Sequence, residues 1–279
     1  MNQQTKACFK KEILSFFRTY RFLIFVLILV GWAGLSPLMV RGLGLTLEAF
    51  TPIYEEFGMD VSEVVDTLAG RASIGLINAV ASIGAVGLIS YLILINSFAG
   101  GEQKKRSIMI PKSSGLSNFS YLFPKYIIYP LAALVISVVA AAVAWGVSVM
   151  TFELNDVTFQ GALLGGVLAG ISLMFYTCIH LTLGTASSRP AMSSVVCIIA
   201  SQMLPDIFSA LGSDMVYNPF LIGALAAEAA FVGNIRMFVS AEIIITIIIA
   251  FVLMIALFYI ALFAQNAKRV DNRGNEIRL

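Results

Sequence analysis

One histidine, three cysteines and sixteen carboxylates are what this 279-residue sequence offers for metal binding and acid–base chemistry. Their spacing points to neither. Cys8, Cys178 and Cys197 lie far apart with no CxxC, so no disulfide framework or zinc site is indicated. His180 stands alone, which rules out a multi-histidine metal or haem site built by this chain. No GxxxxGKS/T phosphate loop occurs, and Gly100-Gly101 beside Lys104-Lys105 has the wrong spacing for one. Membrane proteases and head-group transferases need His, Asp or Ser groups clustered at one depth. The acids here are scattered, so the chain is expected not to be an enzyme and to hold no cofactor. Three ionisable residues still lie in or beside apolar runs and stand as candidates for a substrate path. These are His180 (with Tyr176, Thr177 and Thr182 near it), Asp206 after Pro205, and Glu242. The plainer reading is a hydrogen-bonded core imidazole and two solvated helix ends.

The elements that carry these residues follow from composition. The chain is 59% hydrophobic and 12% charged, with mean hydropathy +0.90, whereas a soluble domain carries about 25% charged residues. The apolar excess sits in long uncharged runs: Phe22–Val40, Ala72–Gly101, Tyr126–Phe152, Val157–Ser188 and Ile243–Ala264. Each approaches or exceeds the ~20 residues that cross a bilayer core as a helix. The expectation is an all-α polytopic membrane protein. Six helices are placed at about 22–40, 72–99, 126–150, 159–186, 191–211 and 239–264. The fifth is weakened at its outer end by Pro205 and Asp206. The basic start before an apolar run looks like a signal peptide, but no small-x-small site follows Gly31–Pro37. It reads as an uncleaved first span.

Charges between the runs sort by sign. When alternate segments are assigned to alternate sides, one side holds 15 basic and 4 acidic residues, the other 3 basic and 12 acidic. The positive-inside rule then places both termini in the cytoplasm of a plasma-membrane protein. The acidic segments 41–71 and 212–238 fall outside, and the basic tail 265–279 inside. Segment 212–238 is apolar but carries Asn218-Pro219, Glu228 and Gly233; it reads as short re-entrant helices rather than a seventh span. Thr46–Ala69 reads as an extracellular cap helix. A net charge of +2 gives no case for nucleic acid.

Two segments on the basic side have a pattern of their own. Over residues 1–21, Phe9, Ile13, Phe16, Phe17 and Tyr20 fall on one helical face, with Lys10, Lys11, Ser15 and Arg18 elsewhere. A basic amphipathic helix of this kind lies in the interface next to anionic lipid. The loop 100–125 opens with Gly100-Gly101, then a charged cluster, then the apolar patch Ile108, Met109 and Ile110 closed by Pro111. A plain linker needs no such patch, so it reads as a docking surface. In the fourth run, Gly161/Gly165 and Gly166/Gly170 are two small-xxx-small pairs that admit close helix packing.

The order of these parts resembles the permease subunits of type-2 ATP-binding-cassette exporters, the ABC-2-type permease family. The residues that carry the resemblance run along the whole chain. They are the helix Lys10–Ile24 leading into the first span, Gly101-Glu102 after the second, Pro124-Lys125 before the third, Ser188-Arg189-Pro190 between the fourth and fifth, and Asn218-Pro219 before the last. Ile108–Lys112 departs from the Gly-Thr-Leu pattern of many relatives. The resemblance implies a homo- or heterodimer of permeases seated on two ATPase subunits, which would bind ATP and Mg. It also implies that Glu102, Lys105, Arg106, Ile108, Met109 and Ile110, with Lys11 and Phe16 of the interfacial helix, couple to that ATPase. The alternatives are a secondary transporter and a non-transporting membrane scaffold or immunity protein. The first would show repeat symmetry and broken mid-membrane helices, and no convincing repeat is present.

Overall fold

The computed structural model describes residues 3–18, 20–56, 60–101, 115–210, 217–232, 240–270 and 276–278. Ten α-helices occur among them: α1 (Gln3–Arg18), α2 (Arg21–Glu56), α3 (Ser62–Gly70), α4 (Ala72–Ser82), α5 (Leu88–Ile95), α6 (Asn118–Thr151), α7 (Phe159–Ser187), α8 (Pro190–Ala210), α9 (Ile222–Val232) and α10 (Ala241–Asn266). Short π turns at Ile83–Gly87 and Ser97–Gly101 interrupt and end the α4–α5 span, and a 3-10 turn, Pro219–Leu221, leads into α9. Beyond the helices, the tail pairs two three-residue strands, β1 (Lys268–Val270) and β2 (Glu276–Arg278). Six segments are long and apolar enough to cross a membrane, in the six places expected.

Helix ends differ from the expected ones because a charge does not stop a helix, whereas a cap or a missing partner does. The first span runs on past Val40 and Arg41 to Glu56, through Pro37 and Pro52. What read as a separate outer cap is therefore the far end of α2, with α3 folded back onto it. The two approach so closely that a β-carbon on Gly44 would lie 2.6 Å from the Ala69 nitrogen. Asp60 accepts the backbone N–H (3.0 Å) and hydroxyl (2.6 Å) of Ser62 at the start of α3. First the hydroxyl and then the N–H hold its carboxyl below the ordinary carboxylate range. That contribution is present at neutral pH and is lost as pH falls through the lowered value.

The third span begins at Asn118, earlier than Tyr126, because the Ser117 hydroxyl accepts the Ser120 N–H (3.1 Å) as an N-cap. Thr158 caps α7 (3.0 Å) in the same way. Ser188 takes a left-handed conformation (φ 56°) and ends α7 before Pro190 opens α8 at its first position. Pro205 lies inside α8 and does not end it.

α7 is the axis of the bundle. Some 78% of its apolar window is buried, against 17% for α8 and for α10. It packs on α6, α9, α10 and α8. The small-residue pairs act here: a β-carbon on Gly166 would stand 2.7 Å from the Ala141 β-carbon in α6, and Gly170 meets Leu134 of the same helix. Gly165 faces Ala226 of α9 instead. These glycines thus serve packing within one chain. α9 buries Ile222, Leu225, Ala226, Ala229 and Ala230 against α7 and α4 and leaves Glu228 exposed.

At the end of the bundle where α4 and α7 begin, the loop before α7 is tied to α4. The Ala72 N–H donates to the Leu154 carbonyl, and the Leu154 N–H donates to the Gly70 carbonyl (both 3.1 Å). Asp156 accepts the Ser73 N–H (2.8 Å) and hydroxyl (2.6 Å), capping α4 from 83 residues away. Asp156→Ala is expected to lower stability by about 1 kcal/mol, the usual worth of a lost cap. Thermal unfolding of the purified protein checks this; an unchanged midpoint would show that the cap contributes nothing.

Candidate functional site

The densest polar cluster lies at the other end, where α1 docks. The face that α1 turns toward the protein takes only part of its apolar stripe: Phe16 is buried and Phe9 half buried, beside the buried polar residues Thr5 and Glu12. Ile13, Phe17 and Tyr20 are free of protein contact to 42%, 54% and 80%. Those three suit an apolar medium, while the inward stripe is keyed to α6. Thr5 and Ser120 hydroxyls bond at 3.0 Å, and the Gln4 amide donates to the Gly115 carbonyl (3.3 Å).

Glu12 is the key residue. Only 2% exposed, it accepts the Tyr129 hydroxyl (2.5 Å) on one oxygen and lies 3.9 Å from the Lys125 ammonium on the other. Lys125 is 1% exposed and donates to the Phe98 carbonyl and the Tyr121 hydroxyl, both at 3.0 Å. Its ammonium also sits 4.3 Å from the Tyr121 ring centroid. Arg21, at the start of α2, donates to the Ser97 hydroxyl and lies 5.2 Å from the Phe98 ring. Phe98 in turn stacks on Tyr129 at 4.8 Å, and Phe16 meets Tyr129 edge-on at 5.4 Å. Charges this deeply buried are tolerated only when paired and hydrogen-bonded, and here they are.

The cluster joins α1, the start of α2, the π turn Ser97–Gly101 and the first turns of α6. Those last two elements are the roots of the expected docking loop. Of that loop, Glu102, Lys105, Arg106, Ile108, Met109 and Ile110 lie outside the described residues. Lys125, which closes the basic loop in the sequence, is instead a buried α6 residue whose ammonium finds a carboxylate, a carbonyl and a hydroxyl. Lys11 is exposed, 3.5 Å from Glu12, and Phe16 is buried inside the cluster.

The three membrane-depth candidates do not come together. His180 is fully buried, with Nδ1 2.8 Å from the Ser193 hydroxyl. That hydroxyl also lies 2.8 Å from the Pro190 carbonyl, to which it donates. His180 Nε2, the Tyr176 hydroxyl and the Thr177 hydroxyl are buried without a partner. Next to them, Ser194 donates to Asn96 (2.7 Å). Asp206 is exposed on α8, about 20 Å along that helix from Ser193. Glu242 is exposed in the first turn of α10, where the helix dipole favours a carboxylate. Among the described residues, no three His, Cys, Asp or Glu side chains converge on a metal-sized site. Glu12, Lys125, Tyr129 and Asp156 are the residues that sequence reasoning passed over. A lone acid on the inward side of an otherwise basic helix was the signal for Glu12. The chain matches no protein-family model, no curated protein and no solved structure.

Proposed function

We propose that this chain is the membrane subunit of an ATP-driven exporter, a permease that resembles the ABC-2 type and takes its energy from a separate ATPase subunit. Both termini and the loop 100–125 face the cytoplasm, by the charge asymmetry of 15 basic residues against 3. The region around α9 faces outward as the re-entrant segment before the last span. The functional unit is a pair of permeases on a pair of ATPases in the plasma membrane.

The observation that carries this reading is the buried Glu12–Lys125–Tyr129 cluster. It makes the interfacial helix and both roots of the loop one mechanical piece. A push on that loop, or on α1, moves the start of α6 together with the end of the second span, as a rigid element does. No side chain of this chain needs to react. A partner that binds and hydrolyses ATP supplies the work, and a path opens where the bundles shift against each other.

The test is a pull-down of the full-length protein from its native membrane in mild detergent, with ATPase activity assayed on the eluate. A variant carrying Glu102→Ala and Ile108→Asp is run beside it. ATPase activity is expected to co-purify with the parent and to fall at least tenfold in the variant. A parent that elutes alone, without ATPase in any mild detergent, overturns the transporter reading in favour of a scaffold or a secondary carrier.

A further inference from the structure

On the flank of the bundle, between α6 and α10, lies a cleft of about 380 Å³. Its α6 wall runs from Phe119 to Pro130 and its α10 wall from Phe251 to Tyr259, and Met174 and Cys178 of α7 form the floor. At 1.5 Å per residue the α6 wall is about 16 Å long. One leaflet of hydrocarbon is about 15 Å deep, half of the ~30 Å core. The cleft therefore runs along the helix axes for the depth of one leaflet, starting at the α1 end of the bundle.

What lies outside it is equally informative. Leu131 and Val135 of α6 and Ile248 and Val252 of α10 carry large exposed apolar side chains on the same two helices. For helices of this composition the surrounding medium is hydrocarbon. At the near end, Phe9 of α1 packs edge-on against Phe123 of the cleft wall at 5.9 Å. Exposed Lys6 and Lys10 lie within one turn of Phe9 on the same helix. Asn118 and Asn266 bridge α6 to α10 at that end (2.6 Å). An apolar slot one leaflet long, ending against a helix that carries exposed lysines, matches a fatty chain under an anionic head group.

We infer that the α6–α10 cleft holds an acyl chain of an anionic phospholipid, with its phosphate beside Lys6 and Lys10. The inference rests on the chain's place in a membrane and not on the transporter reading, so either stands if the other fails. Met174 and Met254, unbranched thioethers that adapt their packing, make part of the slot able to follow a bent chain. The contact also gives α1 a lipid on one side and the Glu12 cluster on the other.

The test uses full-length protein in which Trp32 and Trp145 are replaced by Phe, reconstituted into phosphatidylcholine nanodiscs. A single reporter is added as Phe258→Trp in the cleft, with Ile260→Trp on the lipid-facing side at similar depth as the control. If Phe258→Trp does not reconstitute, Tyr259→Trp at the rim replaces it. Phosphatidylglycerol with mid-chain bromines, at a few mole per cent, is expected to quench the cleft reporter at least threefold more than the control. Brominated phosphatidylcholine at the same level should show no such difference, and Lys6→Gln with Lys10→Gln should remove the preference. Equal quenching at both positions overturns the inference, since the cleft then holds only bulk lipid. So does a cleft reporter that neither lipid reaches, which would mean that protein covers it, and so does equal preference for the two head groups.

Discussion

Glu12→Ala is expected to destabilise the protein by about 3 kcal/mol, the low end of the cost of breaking a buried ion pair. The low end applies because Lys125 keeps the Phe98 carbonyl and the Tyr121 hydroxyl after its carboxylate is gone. Glu12→Gln should cost less, since an amide oxygen still accepts from Tyr129. The double change Glu12→Leu with Lys125→Met should recover most of the loss, because no uncompensated charge is then left in the interior. By contrast, the Lys11 ammonium is itself solvent-exposed, so Lys11→Ala should cost no more than about 1 kcal/mol. The readout is already in the chain: Cys178 and Cys197 are free and buried, so a thiol-reactive dye reports unfolding on heating. A Glu12→Ala protein as stable as its parent would show that α1 is not held by this cluster. The functional consequence under the exporter reading is a separate expectation. ATPase activity in the complex should persist in Glu12→Gln while transport falls, because the docking loop is intact and its link to α1 is weakened.

Gly184→Ala is the other change with a large expected effect. A β-carbon there would lie 1.9 Å from the Ala99 carbonyl oxygen and 3.0 Å from its carbon. The obstacle is backbone, not a side chain that can rotate away, so α7 and the π turn Ser97–Gly101 must separate. Overpacking costs about 1–3 kcal/mol, or roughly 2–12 °C at 2–4 °C per kcal/mol. The displaced residue is the neighbour of Phe98, whose carbonyl holds Lys125. The substitution should therefore also loosen the Glu12 cluster from the opposite side. Combined with Glu12→Ala, its effect should be less than additive, which is the signature of a shared network. Additive losses in the thiol-dye assay would mean that the π turn and the cluster are independent.

The placement of the long apolar helices was largely legible. Hydropathy located the six helices that are long and apolar enough to cross a membrane, because a bilayer demands about twenty apolar residues wherever a helix crosses it. The caps Ser117, Thr158 and Ser240 are local, since each accepts a hydrogen bond from three residues on. They could be anticipated from residue type alone. Less could be read at the helix ends. Arg41 looked like the edge of the first span, yet α2 continues for fifteen residues beyond it. The apolar stripe of α1 is split by the fold: Phe16 and half-buried Phe9 face the protein, while Ile13, Phe17 and Tyr20 turn away from it. Thr5 and Glu12, which no apolar pattern marks, join Phe16 in the inward contact.

Two kinds of information divide here, and for a physical reason. The sequence by itself determined the helical class, the span count, the asymmetry of charge and the absence of a phosphate loop, because each depends on composition or on neighbours within a few residues. Tertiary structure alone decided which charges are solvated and which are buried. Glu12 meets a tyrosine 117 residues away, Asp156 a serine 83 residues away, and Lys125 a carbonyl 27 residues back. A charge is buried only where a distant partner offsets its lost hydration, and no periodicity along the chain records where that partner will be.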